Sequence, residues 1–283
     1  MSWTTLISVA ELSAAMQGAQ PPLVLDCGFE LAKPDQGRTD YLAGHIPGAR
    51  YAHLDRDLSG RSDGTNGRHP LPDRDVLAGW LRAQGLHAGQ QVVAYDASGG
   101  AFAARAWWLL RWLGHAEVAV LDGGRQAWVT IKHSLEGGEP APALAGDFAA
   151  GMPLVAGTVD ADEVQANIAS AAARVLDARD PARFRGDPNP LDPVAGHIPG
   201  ARNRFFRDNL DEAGQWRPAD DLRADFLALL DGAPAILQCG SGVTACHNAL
   251  AMEIAGLPGA LLYPGSWSEW IFDPARPVAR GAD

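Results

Sequence analysis

The chain has 283 residues, with 34 acidic and 23 basic side chains and a formal charge of −11. That length accommodates two domains of ordinary size, each with its own core, and 47% apolar against 20% charged residues is the make-up of a globular protein. The acidic balance argues against a general nucleic-acid binder, which needs a basic face, and against docking on an anionic membrane. Three cysteines are too few for a disulfide framework, and the odd count points to a compartment that keeps thiols reduced.

Residues 1–20 lack a basic leader and a sustained apolar stretch, and Glu11 interrupts them, so no signal peptide is expected and a cytoplasmic protein is. A short apolar run ending at Asp26 reads as a strand, and the motif GHIPGAR follows at 44–50. The arginine-rich stretch 56–74 is expected to be a solvated loop wrapping this first part of the chain. DVLAGWLRAQG has helical spacing, VVAY (92–95) reads as a buried strand, and residues 101–113 read as a buried amphipathic helix. That helix carries Arg105 and Arg111 and is far short of the roughly 20 residues of a membrane span. Trp107, Trp108 and Trp112 are core by their spacing. After the strand AVL at 119–121, residues 136–157 are rich in Gly, Pro and Ala and are expected to be a linker.

The second part repeats the first. GHIPGAR recurs at 196–202, placing His197 152 residues after His45, and RVLDAR (174–179) matches LVLDCG (23–28). AILQCGSGVTACH (235–247) matches VVAYDASGGAFAA (92–104), and ALLYPG (260–265) matches AVLDGG (119–124). Four matches in one order mean two copies of one domain. Between the strands lie helical patterns such as DDLRADFLALLDG, expected to open at Asp220 or Asp221 and to stop at Gly232. Strand–helix alternation predicts an α/β fold: in each copy, a parallel sheet flanked by helices. The expected layout is a first copy over 1–135, a linker over 136–157 and a second copy over 158–283.

The copies differ at one telling place: Cys239 stands in the second where Asp96 stands in the first. Cys239 falls at the carboxyl end of a strand, where open α/β sheets bind ligands. Gly240 and Gly242 are expected at positive φ, turning backbone N–H groups inward, and Ser241 and Thr244 are expected to cap the next helix. Such a loop is a cradle for one anion, a thiolate on Cys239 included. A cysteine phosphatase would carry an arginine six residues after the cysteine. Here Ala245 and then Cys246 follow, so the loop suits a small singly charged species such as a persulfide.

CGSGVTA after a buried strand, with DAR, RF and GHIPGA upstream and YPGSWSEW downstream, resembles the active half of a two-domain rhodanese-type sulfurtransferase, and the resemblance runs over nearly the whole chain. It implies tandem rhodanese-like domains, the first an inactive copy with Asp96 at the cysteine position, the second catalytic. The loop is similar to that of 3-mercaptopyruvate sulfurtransferases, with thiosulfate as the alternative donor. The resemblance implies a persulfide on Cys239, formed from a small anionic sulfur donor and passed to a thiol, cyanide or thioredoxin-like acceptor. It implies Ser241 and His45 as a proton-moving pair, with Asp40 preferred over Asp35 as the third member. Gly240, Gly242, Val243 and Thr244 would line the donor with Arg183. A second arginine is implied about nine residues after Arg183, where Leu191 and Asp192 stand. Arg185 would point to the same side as Arg183 if that segment were extended.

The remaining residues have plainer readings. His197 would fix the GHIPG turn, Asp26 and Asp177 would bond to loop amides, and Arg179 would form a buried ion pair beneath the loop. Cys246 and Cys27 read as core residues, with a resolving thiol as the minority reading for Cys246. The scattered histidines form no metal-ligand spacing and no nucleotide-binding glycine motif occurs, so no metal or cofactor is expected. Two rival classes remain: a cysteine-dependent phosphatase and a non-catalytic persulfide carrier.

Overall fold

A computed structural model describes residues 2–282 of the chain. They form two compact units that do not simply follow the two copies in sequence. The first unit runs to Gly60, resumes over Pro72–Leu154 and takes in Glu212–Trp216; the second comprises Arg61–Leu71, Val155–Asp211 and the chain from Arg217 onward. Arg61–Leu71, expected as a solvated loop on the first copy, therefore packs with the second. Residues 136–154, expected as a linker, are tied to the first unit by the Glu136 bridge to His45 and by Gly146 N donating to Arg82 O and Gly151 N to Leu113 O.

The first unit contains β1 (Leu6–Ile7), α1 (Val9–Met16), β2 (Leu23–Asp26), α2 (Gln36–Ala43), β3 (Arg50–Tyr51), α3 (Arg74–Ala83), β4 (Val92–Tyr95), α4 (Ala103–Trp112), β5 (Val118–Leu121) and α5 (Gly124–Thr130). Its five strands lie parallel in the order β1-β5-β4-β2-β3. LVLD, VVAY and VAVL are buried along their whole length, as strands covered by helices on both faces require. Ser8 and Glu11 close a capping box on α1, and Asp73 caps α3 through the amides of Asp75 and Val76. The helix α4 differs from expectation. It is enclosed rather than amphipathic, with every residue from Ala103 to Leu110 buried, Arg105 among them.

The second unit contains α6 (Ala161–Ser170), β6 (Arg174–Asp177), α7 (Pro181–Arg185), β7 (Arg202–Asn203), α8 (Ala219–Leu230), β8 (Ala235–Gln238), α9 (Ala245–Ile254), β9 (Leu261–Leu262) and α10 (Ser266–Trp270). Its four strands are also parallel, in the order β7-β6-β8-β9. The helix α8 starts one residue earlier than expected, at Ala219 after Pro218, so Asp220 and Asp221 lie in its first turn, where carboxylates favour the positive helix end. Among the described residues no helix is long and apolar enough to cross a membrane.

The same register recurs in both sheets: Asp26 pairs with Tyr95 and Asp177 with Gln238, so Asp96 and Cys239 each directly follow a central strand. In the first unit the Tyr95 hydroxyl donates to Asp26 Oδ2 at 2.6 Å and accepts from Ile46 N at 3.0 Å, closing the strand end. Tyr95→Phe strands a buried carboxylate and a buried amide, so it is expected to cost about 2 kcal/mol, measured as a lower urea midpoint at unchanged slope.

Candidate active site

The first unit displays what the loop after the central strand can hold. Four backbone amides converge on the Asp96 carboxylate: Ser98 N at 2.7 Å and Gly100 N at 2.9 Å on Oδ1, Phe102 N at 2.8 Å and Ala103 N at 2.9 Å on Oδ2. The loop followed by a helix start is thus an anion cradle, and in this copy the chain supplies its own anion.

In the second unit Cys239 occupies that position, buried to 2% exposure, and Ser241 N points at its sulfur from 3.5 Å. The loop is fixed from below by α10. Cys239 N donates to Ser266 Oγ at 3.0 Å, Trp267 N to Cys239 O, and Ser268 N to Gly240 O. Of the two loop glycines, only Gly242 has positive φ, at 75°, and a Cβ there would stand 2.3 Å from Pro264 O. Gly240 is needed for a different reason. A Cβ on it would lie 2.8 Å from Arg68 Nη2 and 2.9 Å from Arg183 Nη2. Val243 is buried, with its carbonyl accepting from Cys246 N. Thr244 occupies the N-cap position of α9 without a side-chain capping bond. Ser241 does not cap the helix either, because its hydroxyl is engaged elsewhere.

That engagement corrects the expected pairing. Ser241 Oγ lies 2.7 Å from Nδ1 of His69, a buried residue of the Arg61–Leu71 segment. His45 belongs to the first unit. Its Nδ1 lies 2.9 Å from Tyr41 O and its ring stacks on Tyr41 at 4.1 Å. His197 repeats this in the second unit, with Nδ1 2.8 Å from Phe184 O and its ring stacked on Phe184 at 3.8 Å. The GHIPGA histidine is therefore a turn-fixing group in both copies. Asp40 and Asp35 also lie in the first unit, exposed: Asp40 accepts from Gln36 Nε2 and Asp35 pairs with Arg56.

The arginines depart from expectation as well. Asp180 caps α7, with Pro181 in its first turn. On this helix residues two apart do not share a face. Arg183 turns toward Gly240, whereas Arg185 is exposed and pairs with Asp187 at 3.0 Å, so Arg185 does not reinforce Arg183. Asp192 is a buried counter-ion. It receives Arg183 Nε and Nη2, both at 2.8 Å, and lies 3.5 Å from Arg179 and 3.7 Å from Arg68. Burial alone would raise the Asp192 carboxyl, but the hydrogen bonds and charge of Arg183, with Arg179 and Arg68 behind it, hold it below the usual carboxylate range. Arg179 forms the expected buried pair with Asp177 at 2.7 Å and lies 4.6 Å over the Trp267 ring.

Cys246 is buried with its sulfur 3.3 Å from Gly242 O, and Cys27 is buried in the first unit, its thiol pushed up by burial and then by the charge of Asp96. Among the described residues no three His, Cys, Asp or Glu side chains are grouped to hold a metal. The residues missed by sequence reasoning are His69, Arg68 and the role of Asp192. A signal existed. The repeat offset falls from 152 residues at GHIPGAR to 143 between Asp96 and Cys239, so the first copy carries extra chain just where Arg61–Leu71 leaves its own unit.

Residues 8–131 and 160–273 each match the rhodanese-like domain family. A probable 3-mercaptopyruvate sulfurtransferase of Pseudomonas aeruginosa is 49% identical over 287 residues, covering 99% of this chain and 100% of its own. A putative thiosulfate sulfurtransferase of Mycobacterium tuberculosis, SseB, is 40% identical over 98% of this chain and 97% of its own. The crystal structure of SseA from Escherichia coli, a 3-mercaptopyruvate sulfotransferase by its description, superposes with a TM-score of 0.81 at 31% identity, over 94% of this chain and 99% of its own.

The Asp192 arrangement has a consequence for pH. Because its folded carboxyl titrates below the unfolded one, its contribution is present above about pH 4 and is lost as pH falls through the lower folded value. Asp192→Asn is therefore expected to destabilise the protein at pH 7, and its gap to the parent is expected to close in acid, measured by urea unfolding across pH.

Proposed function

We propose, for a chain that belongs to the rhodanese family as a two-domain sulfurtransferase, that it carries sulfur from 3-mercaptopyruvate to a thiol or cyanide acceptor through a persulfide on Cys239. The single observation that carries the choice of donor is the hydrogen bond between His69 and Ser241, two residues from the thiol. Thiosulfate releases sulfite when its outer sulfur is attacked, and no proton has to move. Mercaptopyruvate releases a carbon leaving group, which does need one.

The steps follow from the groups in place. The Cys239 thiolate attacks the donor's sulfur, the carbon–sulfur bond breaks, and its electron pair leaves on carbon as the enolate of pyruvate. A proton relayed through the Ser241–His69 pair completes pyruvate, and the outer sulfur remains on Cys239. The cradle stabilises that sulfur as the amides of the first copy stabilise the Asp96 carboxylate. An acceptor thiolate or cyanide then attacks the outer sulfur, and the Cys239 thiolate leaves. His69 thereby takes the role expected of His45, and Arg183 is the donor-facing arginine.

The phosphatase reading is weakened by Ala245, which stands where such an enzyme needs its arginine. The test is a donor comparison with cyanide as acceptor. Cys239→Ser is expected to abolish turnover of both donors. His69→Ala and Ser241→Ala are expected to lower kcat with mercaptopyruvate by about a hundredfold, the scale of one positioned proton-transfer group, and with thiosulfate by far less. His45→Ala is expected to act through stability and to leave the ratio of the two donors unchanged. Equal losses with both donors in His69→Ala would remove the proton relay.

A further inference from the structure

The first copy keeps a cavity beside its Asp96 loop, and the charges around it are exchanged relative to the second copy. The cavity measures about 220 Å³, and its walls include Phe29, Glu30, Asp40, Tyr41, Ser98 and Arg125, all within the first unit. Backbone bonds set the correspondence between copies. Arg125 N donates to Asp96 O at 2.9 Å as Trp267 N donates to Cys239 O at 3.0 Å. Gly28 N donates to Asp26 Oδ1 as Arg179 N donates to Asp177 Oδ1, both at 2.9 Å. In the second copy the Arg179 guanidinium lies 4.6 Å over the Trp267 ring and fills this space. In the first, Gly28 brings no side chain, and the guanidinium comes from Arg125 instead. The stacked pairs His45–Tyr41 and His197–Phe184 give a third match, which sets Asp40 at the helix position of Arg183. A cation has become a carboxylate.

The two guanidiniums differ in how they are satisfied. Arg179 donates to Asp177 and to Gly196 O. Arg125 Nε is buried without a hydrogen-bond partner, and among the described residues its guanidinium joins no ion pair. A buried donor left unpaired is costly, and an anion entering the cavity would supply the missing acceptor. Arg125 Nη2 reaches the end of α2, where a Cβ on Gly44 would stand 3.4 Å from it. Asp40 lies one turn earlier, its carbonyl accepting from Gly44 N at 3.0 Å. Side chains four apart on a helix are roughly 5–6 Å from each other at Cβ. Glu30 and Asp40 are exposed, and neither carboxylate is paired with Arg125. A guanidinium thus faces two carboxylates across a space that one molecule carrying both charges can bridge.

We propose that this first-copy cavity binds a free α-amino acid, its carboxylate on Arg125 and its ammonium group at Asp40 and Glu30. Phe29 and Tyr41, both buried, wall the space left for its side chain. The site requires a ligand with a cationic end, and it does not rest on the choice of sulfur donor.

The test is isothermal titration calorimetry of the full chain with L-alanine and L-serine, against propionate and ethylamine, which each carry only one of the two charges. The amino acids are expected to bind and the single-charge compounds to bind at least tenfold more weakly. Arg125→Gln is expected to weaken amino-acid binding about tenfold to a hundredfold, the scale of one charge-assisted hydrogen bond. The double variant Glu30→Gln with Asp40→Asn is expected to weaken it similarly, whereas Arg183→Ala is expected to leave it unchanged. Should Arg125→Gln fold poorly by circular dichroism, Arg125→Lys at matched thermal stability replaces it, with a severalfold loss expected because the planar fork is gone. The comparison of ligands on the parent protein needs no variant. No binding of either amino acid would overturn the proposal, as would propionate or ethylamine binding as tightly as L-alanine. A loss confined to Arg183→Ala would overturn it too, since the amino acid would then sit at the nucleophile's loop.

Discussion

Ser268 is the small group on which the site's assembly depends. Its amide donates to Gly240 O, its hydroxyl donates to Gly265 O at 3.1 Å, and the same hydroxyl accepts the backbone N–H of Arg68 at 3.0 Å. One residue thus ties the nucleophile's loop to the incoming segment that carries Arg68 and His69. The approach is close enough to dictate glycine at position 67, where φ is 86° and a Cβ would stand 2.8 Å from Gly265 O. Once that contact is made, the imidazole of His69 falls on Ser241 and the guanidinium of Arg68 falls beside Arg183. Neither needs a long flexible reach, so the site is pre-organised by backbone packing.

The duplication explains why the fold and the nucleophile are so legible in the sequence. Buried strands such as VVAY and AILQ and the two GHIPGAR motifs are local signals, and each encodes its own element. Cys239 is visible because its counterpart differs, and Arg183 because it sits within a motif. What escaped is non-local. The His69–Ser241 hydrogen bond spans 172 residues, and no periodicity marks such a contact. His45 attracted the role because it repeats, yet repetition in both copies is the mark of a structural job, as its stacking on Tyr41 and that of His197 on Phe184 make clear. The extra chain in the first copy, lacking any repeat partner, was the better signal.

Arg185 and Asp192 were misread for a related reason. Reading 183–185 as extended put two arginines on one side, but Asp180 and Pro181 start a helix there and turn Arg185 outward. Asp192 looked like a lost arginine. It is a buried anchor that orients the arginine already present, which only three-dimensional neighbours reveal. In the first copy the same cradle is filled by Asp96, with four amides converging on its carboxylate. In the second copy Cys239 takes the place of Asp96, and Ser241 N points at its sulfur from 3.5 Å.

The central claim is that Cys239 carries the sulfur between donor and acceptor. Intact mass measured after incubation with 3-mercaptopyruvate and no acceptor tests it most directly. The account predicts a gain of one sulfur atom localised to Cys239, removed by added cyanide with release of thiocyanate and absent in Cys239→Ser. A protein that turns the donor over without ever gaining that sulfur, or that gains it equally in Cys239→Ser, would contradict it.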